Sequence, residues 1–416
     1  MPTYQSQFAR TIAMKVQSAL GTQATGSGGT TLRVAGGNGA RLSKAVTESN
    51  EIRSDGMRTR GRHGIQKTAG QWSSEIGLGS HEAVMEAVMR DTWSAADLTI
   101  TEASVLGGSA AATSITTTTS TIVAAAGSWI TQGLRVGDVV RLTNHTTSAN
   151  NGKNLRIITL SALTITVAET LTLNATPDTS FTITRSGKKL TQSGTLVKRY
   201  FTIDEYENDI DLSEVFTDFV FGSMKFSMQP NGLVMMDIGG MGTGQFSAQT
   251  TGTSPLLTSP TATTAVPYSV VDATIRIGTN DVVDLSSLDI TLDIQPMTPD
   301  VFGSGGIKYA PDVFTGQMAI GINFSALRKD LQFVSDFAAE TVYSIQVMLV
   351  ENEAEPKDFL SIFIPEFTLG GVDKSALNKA GGPETQSISV PAALVGKKAT
   401  TSGYDSTMAT FQSTAP

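Results

Sequence analysis

The chain is poor in the residues that build most chemical sites. None of its 416 residues is cysteine, so disulfide scaffolds, thiol catalysis and cysteine-based metal sites are excluded. Its three histidines, His63, His81 and His145, lie far apart in sequence, which disfavours a histidine-rich metal site. Charged residues make up 16% of the chain, below the usual share of about a quarter. Thr, Ser, Gly and Ala replace them, and we infer that part of the surface is buried in an assembly.

Long apolar runs are also missing. No window approaches the roughly 20 apolar residues of a membrane-spanning helix, and the first residues show no basic start followed by an apolar run. We therefore expect a protein that is made in the cytoplasm and has no membrane partner. The net charge of −8 opposes a surface that grips DNA phosphates, although it is compatible with a surface past which DNA slides.

Alternating polar and apolar residues, the pattern of half-buried β-strands, run through much of the chain. In residues 71–78 the two faces separate into an apolar side with Trp72 and Ile76 and a polar side with Ser73 and Glu75. The same alternation predicts further strands at 12–18, 223–229, 288–295 and 317–324. Residues 42–50 are a further strand candidate, and 343–350 and 359–364 are predicted to form a hairpin closed by an acidic loop.

Two segments have helical spacing instead. They are 81–91, with Ser80 as the predicted N-cap, and 326–338, with Ser325 as the predicted N-cap. Each follows a strand that opens with Gly-Gln, at Gly70 and Gly316, and each strand follows a long glycine-containing loop. The loops are 51–69 and 296–315. We interpret this order as two related hairpin-plus-helix units in one chain; chance similarity between short patterns is the alternative.

A different segment separates the two units. Residues 107–121 are of low complexity and typical of a linker. Beyond them, LRVGDVVRL at 134–142 and LTITVAETL at 163–171 flank the turn sequence NNGK, which suits positive backbone angles. We predict a core in two parts, 1–106 and 191–395, a small inserted β domain at 107–190, and a polar, extended arm at 396–416.

Catalytic and cofactor motifs are weak or missing. There is no Walker A phosphate loop, and the glycine cluster at 239–244 is not followed by a helical pattern that could cradle a phosphate. Ser186 and Lys189 match S-x-x-K without its partner motifs. We therefore predict a protein that is not an enzyme and uses no cofactor.

Two charged clusters of opposite sign are candidates for contacts between subunits. The basic cluster in the first long loop holds no aromatic residue for stacking on bases, so docking on an acidic neighbour is favoured over nucleic-acid binding. Its members are Arg53, Arg58, Arg60, Arg62 and Lys67. The segment 204–218 is rich in carboxylates, which permits a calcium site, but it lacks the glycine and terminal glutamate of an EF-hand. A solvated or partner-facing acidic patch is favoured, with Asp204, Glu205, Glu207, Asp209 and Asp211 as the candidates.

Taken in order, these elements resemble the tail tube proteins, or major tail proteins, of bacteriophages with long non-contractile tails. The resemblance covers roughly residues 10–390, and the order of elements carries it because no single motif is diagnostic. Its segments are KVQSALGT, IRSDGMRTRGRHGIQKTAGQWSSEIGL, the inserted LRVGDVVRLT and NNGK, and the late SLDITLDIQ, GQMAIGINF and FLSIFIPEFTLGG. The polar tail after residue 396 departs from the pattern, and the family does not explain it.

The resemblance implies a mainly β fold. It is a tail-tube β-sandwich with flanking helices, whose strands contribute to a multi-subunit β-barrel, plus the small inserted β domain. Stacked hexameric rings would place six subunits around a lumen, and each would give four strands to the barrel. Our candidates are 42–50, 71–78, 288–295 and 317–324. At ~4.8 Å spacing and ~40° tilt, 24 strands give a backbone diameter of roughly 48 Å, which leaves room for a DNA duplex.

The alternation then assigns the strand faces. Apolar faces would pack on the outer layer, whereas polar faces would line the channel, and acidic or small neutral groups let DNA pass without specific binding. The lumen-lining candidates are Gln71, Ser73, Glu75, Asp289, Asp293 and Asn323. The implied partners are other copies of the chain, the tape measure, terminator and tail tip proteins, and phage DNA, in a virion tail assembled in the host cytoplasm.

Two other classes of protein stay open. One is another β-rich virion protein, such as a tail terminator, a baseplate component or a head decoration protein. Polymerisation into tubes of uniform width distinguishes a tube protein from these. The other class is a carbohydrate-binding or hydrolytic β protein, which is expected to carry aromatic platforms or a close carboxylate pair. Three Trp in 416 residues disfavour it.

Overall fold

A computed structural model describes residues 4–415 apart from 95–96, 105–113, 193, 303–307, 352–353, 378, 380 and 400–402. Two α-helices lie in this part of the chain, α1 (Glu82–Met89) and α2 (Gln332–Ala338). Neither is long and apolar enough to cross a membrane. Single 3-10 turns occur at Ser148–Asn150, Val270–Asp272 and Ala392–Leu394.

Strands make up most of the regular structure. In chain order they are β1 (Arg10–Val16), β2 (Gly26–Ser27), β3 (Thr30–Thr31), β4 (Gly36–Thr47), β5 (Arg62–Glu75), β6 (Leu98–Thr101), β7 (Ile115–Thr117), β8 (Thr121–Ala124), β9 (Val139–Thr143), β10 (Asn154–Leu160), β11 (Thr164–Val167), β12 (Asn174–Asp178), β13 (Thr182–Arg185), β14 (Lys188–Thr191), β15 (Phe201–Glu207), β16 (Leu212–Met228), β17 (Met235–Gly242), β18 (Phe246–Gln249), β19 (Leu257–Thr258), β20 (Thr274–Ile277), β21 (Asn280–Asp281), β22 (Leu285–Asp293), β23 (Ala319–Leu327), β24 (Val342–Val350), β25 (Phe359–Thr368), β26 (Gly371–Lys374), β27 (Thr385–Val390) and β28 (Thr410–Ser413).

Twelve of these strands form one large sheet. A continuous antiparallel path of eight strands crosses it in the order β4-β5-β17-β16-β22-β23-β27-β26. β16 is 17 residues long, and its two halves pair with different strands. Its second half belongs to the path, whereas its first half pairs with β15 and β18, and β15 continues through β1 to β3. Between the two halves, residues 215–222 are all buried, so both faces of the strand are covered there.

A second sheet of six strands, β14-β28-β25-β24-β20-β21, packs on the large one. The interface is apolar and aromatic: the Phe226 ring of the large sheet lies 5.9 Å from that of Phe411 in the second. α1 closes the same core with five buried residues. The apolar faces of the predicted strands 71–78, 288–295 and 317–324 lie in this core, at Trp72, Ile76, Leu292, Met318, Ile320 and Ile322. The mainly β sandwich with flanking helices is therefore confirmed.

The inserted segment forms its own sheet of eight strands, β12-β7-β8-β11-β10-β9-β13-β6, around Trp129 and Phe181. Its boundary differs from the prediction, because β6 lies before residue 107 and already pairs with β13 in this sheet. β14, predicted as part of the insert, pairs with β28 in the sandwich instead. Of the predicted linker, residues 107–113 lie outside the described ranges. Residues 115–117 form β7, so the linker prediction is wrong there.

The predicted polar arm at the C-terminal end is wrong at residues 409–415. β28 lies between β14 and β25 in the second sheet, and all four of its residues are buried. Phe411 supplies the apolar anchor, and the buried Gln412 amide donates to the carbonyls of Val139 and Ser186. The Ser413 hydroxyl accepts the Ala415 amide, so these two polar side chains are buried with hydrogen-bond partners.

Both helix caps differ from the predicted ones. His81, in a left-handed conformation, precedes α1, whereas the Ser80 hydroxyl accepts the Gly77 amide and closes the preceding turn. α2 begins at Gln332 rather than near 326, because β23 continues through Leu327. Ser325, the predicted cap, lies within that strand opposite Ser387. Strand pairing prevails here because the alternating Phe324 and Ala326 are buried in the core.

Both long loops also have other bounds than the predicted ones. The first spans 48–61 rather than 51–69, because 62–69 extend β5 along β4. The second connects Asp293 to Ala319, and residues 303–307 within it lie outside the described ranges. Each loop joins two antiparallel strands, and an α-helix follows each hairpin. The two hairpin-plus-helix units of the sequence are thus both present in the fold.

Candidate functional site

The face of the eight-stranded path that points away from the core is polar. Because side chains alternate along a strand, its residues are the neighbours in sequence of the buried ones. One row across the sheet runs from Ser73 through Asp237 and Lys225 to Thr291 and Gly321. A parallel row two residues along runs from Glu75 through Met235, Ser227 and Asp289 to Asn323 and Ser389. We call this surface, between β5 and β27, the polar sheet face.

All six predicted lumen-lining residues lie on the polar sheet face. On β5 they alternate with the buried Trp72 and Ser74, and on β22 with Leu288, Ile290 and Leu292. On β23, Asn323 lies between the buried Ile322 and Phe324. The six, Gln71, Ser73, Glu75, Asp289, Asp293 and Asn323, are half-buried or exposed in the single chain. The sheet therefore brings together residues that are about 250 positions apart in sequence.

The polar sheet face is acidic. Between β5 and β23 it carries Glu75, Asp237, Asp289 and Asp293 against Lys225 and, toward the β4 end, Lys67. The Lys225 ammonium lies 3.0 Å from an Asp289 oxygen, and the Ser73 hydroxyl donates to Asp237. Gly239, Gly321 and Ala319 keep parts of the face free of long side chains. Such a surface offers small neutral groups and net negative charge to whatever lies above it.

Sequence reasoning missed Asp237 and Lys225 as members of this face. A signal was present for Lys225, because the predicted strand 223–229 alternates Ser223, Lys225 and Ser227 with buried residues. Asp237 was missed because its strand ends in a glycine cluster, and such a cluster in a sequence is typical of a loop. β17 forms a regular strand there because β5 and β16 pair with it on both sides.

The basic cluster is neutralised largely by its own surroundings. Arg53 pairs with Asp55 at 2.6 Å, Arg58 lies 3.7 Å from Glu48, and Lys67 on β5 lies 2.8 Å from Asp300. The hydrogen bond from Arg53 lowers the pKa of the Asp55 carboxyl. Arg60 and Arg62 are exposed. Within the observed loop, 48–61, three arginines face three carboxylates, so the net positive charge predicted for 52–68 depends on Arg62 and Lys67 of the strand.

Exposed apolar side chains distinguish both long loops more clearly than charge does. Ile52 is 99% exposed and Met57 70% exposed in the first loop. In the second loop, Phe302 is fully exposed and Met297 59% exposed. Large apolar residues that protrude in this way are typical of surfaces that another protein covers.

The acidic cluster is not a solvated patch at Asp204 and Glu205. β15 lies between β1 and β16, and both carboxylates are buried there. Glu205 accepts the Ala40 amide at 2.6 Å and the Trp72 indole at 3.3 Å, and Asp204 accepts the Leu257 amide at 2.8 Å. Burial raises the pKa of both carboxyls. These two residues hold the protomer together, so the prediction of a partner-facing surface is wrong for them.

The remaining acidic candidates are bound within the chain. Glu207 pairs with Arg10 at 2.8 Å, and Asp209 accepts the Ser6 amide at 2.8 Å. Asp211 accepts the hydroxyls of Tyr206 and Ser254. Over the described ranges, no group of three His, Asp or Glu is arranged to hold a metal ion. Docking of the basic cluster on a neighbour's Glu207, Asp209 or Asp211 stays a proposal.

The family model described as phage tail tube protein matches residues 8–411. The chain belongs to the phage tail tube protein family. The match spans both hairpin-plus-helix units, the inserted sheet and β28, so it covers the whole sandwich. A comparison with curated protein sequences gave no match. The chain is thus a structural protein of the virion tail that self-assembles into a tube, and the family resemblance predicted from its sequence is confirmed.

Proposed function

We propose that this tail tube protein polymerises as stacked rings, with the polar sheet face turned inward around the lumen through which DNA leaves the virion. The resemblance to tail tube proteins implies hexameric rings, in which six tube units surround the lumen. The strands of neighbouring units would close into one β-barrel. Closure would leave the polar sheet face inside and the second sheet and the inserted sheet outside. The role is structural, without catalysis.

One observation carries this proposal: a single sheet face collects the acidic and small neutral residues of strands from both ends of the chain. A lumen must not bind DNA, because each phosphate contact would slow its passage. Like charges repel the phosphates, and small side chains offer few hydrogen bonds to them. Apart from Lys225, which pairs with Asp289, the basic residues of this side lie at the β4 end, at Arg41 and Lys67.

The proposal also includes the other tail proteins that contact the tube. The tape measure protein would occupy the lumen during assembly in the host cytoplasm, and terminator and tail tip proteins would cap the two ends of the tube. Exposed Ile52 and Phe302 on the long loops support contacts along the tube axis, because a stacked ring would cover both.

The absence of cysteine makes a direct test possible. Asn323→Cys places one thiol on the polar sheet face, and Thr176→Cys places one on the exposed β12 of the inserted sheet as the matched control. Each variant is polymerised, treated with a small biotin maleimide, washed and probed with streptavidin, first as tubes and then after dissociation.

The expected result is biotin on both variants but streptavidin on intact tubes of Thr176→Cys only. Asn323→Cys should bind streptavidin after dissociation, because the lumen admits the small reagent and excludes the large protein. Equal streptavidin binding to both intact tubes would place the polar sheet face outside. Rings that never stack into tubes would favour a terminator, baseplate or head decoration protein instead.

A further inference from the structure

The chain repeats one complete topology, and the repeat extends well beyond the two hairpin-plus-helix units. We call the strands outside the eight-stranded path the outer layer. In each half, a strand of the outer layer is followed by a short edge strand, a hairpin of the path and an α-helix. A second hairpin, which begins in the outer layer, and a strand that returns to the path come next. The corresponding pairs are β1 and β20, β3 and β21, β4 and β22, β5 and β23, α1 and α2, β15 and β24, β17 and β27, and β18 and β28. β16 corresponds to β25 and β26 together.

The pairing partners repeat as well as the order. β1 pairs with β3 and β15, just as β20 pairs with β21 and β24. β18 pairs with the first half of β16, just as β28 pairs with β25. Chance does not reproduce a set of non-local pairings in the same order, because each pairing is an independent choice among many strands.

Within the eight-stranded path the repeat becomes two blocks of four. The first block is β4-β5-β17-β16 and the second is β22-β23-β27-β26. Both have the same internal order: first strand, second strand, last strand, third strand. The junction between the blocks is the antiparallel pair β16 and β22, which joins the third strand of one block to the first strand of the next.

We propose that one chain supplies two of the six tube units, so that a ring contains three chains rather than six. This inference rests on the proposed function and assigns its partner surface: β26 of one chain pairs with β4 of the next, in the manner of the internal pair β16 and β22. Three copies of the eight-stranded path give 24 strands and a barrel diameter of roughly 48 Å. Six copies would give 48 strands and a barrel of roughly 96 Å.

The two free edges of the path fit this pairing. In the described part of the chain β4 pairs with β5 alone and β26 with β27 alone. β4 is 12 residues long, and an unpaired edge of that length is a template for another strand. Val46 on it is 66% exposed. A second copy that offers the equivalent of β16 would cover this edge and leave the ring without any open edge in the path.

Charge on the polar side supports the same pairing. At the internal junction, Lys225 on β16 pairs with Asp289 on β22. At the free edges, Asp373 on β26 and Arg41 on β4 both lie on the polar side, because they alternate with Val372 and Leu42. Neither has an ion-pair partner among the described residues of its own chain. Antiparallel pairing of β26 with β4 would bring opposite charges together at each of the three chain junctions.

The inserted sheet makes the number of chains visible from outside. It connects α1 to β14 in the first half, whereas α2 leads directly to β24 in the second. A ring of three chains therefore carries three outer protrusions around a lumen of nearly sixfold shape. A ring of six chains would carry six.

The first experiment is electron cryomicroscopy of tubes of the full chain, with the mass per ring from the same filaments. The expected result is three protrusions, three chains per ring and a path of 24 strands around the lumen. Six chains per ring would overturn the inference and leave the proposed function standing. Tubes that show the polar sheet face on the outer wall would overturn the proposed function whatever the number of chains.

The second experiment tests the junction by charge. Asp373→Arg and Arg41→Asp each place like charges across the β26 and β4 edges, so each should reduce the tube yield at least tenfold. The double variant restores an opposite pair and should recover most of the yield. Glu102→Arg makes the same change of charge in the turn that follows β6 of the inserted sheet and should polymerise normally. Single variants that polymerise as well as this control, or a double variant no better than the singles, would sink the assignment of the edges.

Discussion

The two halves of the chain share a topology but not a surface. In the first half, α1 buries five residues in the sandwich core, and its helix start and end are fixed by His81 and Arg90 in left-handed conformations. In the second half, α2 buries none, and Leu331 before it is 61% exposed. The same backbone frame therefore tolerates a buried helix or an exposed one, because the strand pairings define it and the helix only covers it.

The difference shows where the fold can vary without breaking the eight-stranded path. Only the first half carries an inserted sheet, and its entry and exit strands, β6 and β13, pair side by side. An insertion there does not separate α1 from the sandwich, because the chain leaves and returns at one point. In the second half, by contrast, Leu331 and Phe337 stay exposed in the single chain. One half can therefore carry an insertion while the strand order of the path stays the same in both halves.

The largest expected effect concerns the long loops, which both halves expose. Ile52→Ser combined with Phe302→Ser removes two protruding apolar side chains without touching a strand. We expect a folded protein whose polymerisation is lost or reduced at least tenfold, measured by sedimentation and negative-stain microscopy. Leu173→Ser in the inserted sheet is the control, because this residue is also exposed, at 63%, but lies away from both loops. Normal tubes from the double variant would contradict the proposed loop contacts.

The next effect tests the unequal burial of the two halves. Trp72 is fully buried between Phe219 and Phe221, and its indole donates to Glu205. Trp72→Ala should lower the free energy of unfolding by about 3–5 kcal/mol, because it leaves a large cavity and removes one of the hydrogen bonds to the buried Glu205. Phe333→Ala in α2 should cost about 1 kcal/mol, since that ring is only half-buried. Urea unfolding of unpolymerised protein, followed by circular dichroism, measures both. Equal losses would mean that α2 is packed as firmly as the first half.

A smaller effect concerns the pH dependence of the free energy of unfolding, which we expect to arise at the start of α1 and not at α2. Burial lowers the pKa of His81 to about 4, helped by the nearby Arg33 charge, and its Nε2 lies 2.7 Å from the Ser74 hydroxyl. The unfolded chain takes up that proton near pH 6.5, whereas the folded chain resists it. Stability from this residue is therefore complete above about pH 6.5 and is lost as the pH falls toward 4, by up to ~3 kcal/mol.

The measurement compares His81→Asn with the unchanged chain between pH 7 and pH 4. Asparagine suits the left-handed conformation at this position and cannot titrate, so the variant should lose less stability in acid. His63→Asn on the exposed part of β5 is the control and should behave like the unchanged chain. Parallel acid curves for all three proteins would show that His81 contributes nothing to the pH dependence.

The sequence predicted the polar sheet face better than the elements at its margins. Alternation is a local property, so Ser73, Glu75 and Asp289 could be assigned to a face without knowing their neighbours. β28 could not be recognised, because TFQS is short and mostly polar, and its burial depends on β14 and β25, which lie far away in sequence. The burial of Asp204 was not predicted for the same reason, because it depends on the distant strand β1.

Charge patterns were the least reliable guide to contacts. The carboxylates at 204–218 resemble a solvated patch in sequence, yet Glu205 lies under Trp72 and pairs with Arg10 at 3.4 Å. The observed loop at 48–61 balances its own arginines, for example Arg53 with Asp55. A carboxylate in a strand can be buried whenever backbone amides or an arginine from another strand reach it, and only the tertiary structure shows whether they do.

The smallest effect on the protein itself concerns the charge of the polar sheet face, and it compares the halves directly. Glu75→Lys changes one charge of the first half, and the pair Asp289→Lys and Asp293→Lys changes two of the second. Each should leave assembly nearly intact, because these side chains are partly exposed and the Lys225–Asp289 pair, 3.0 Å long, contributes under about 1 kcal/mol. In phage carrying the variants, the rate of DNA release after triggering should fall. Lysines in the lumen attract phosphates, and the paired change should slow release more than the single one.

The corresponding Gln and Asn variants remove charge without reversing it and should release DNA at close to the normal rate. Correctly assembled tails that release DNA normally with all three lysines would leave the polar sheet face in the lumen but deny its charge any part in ejection.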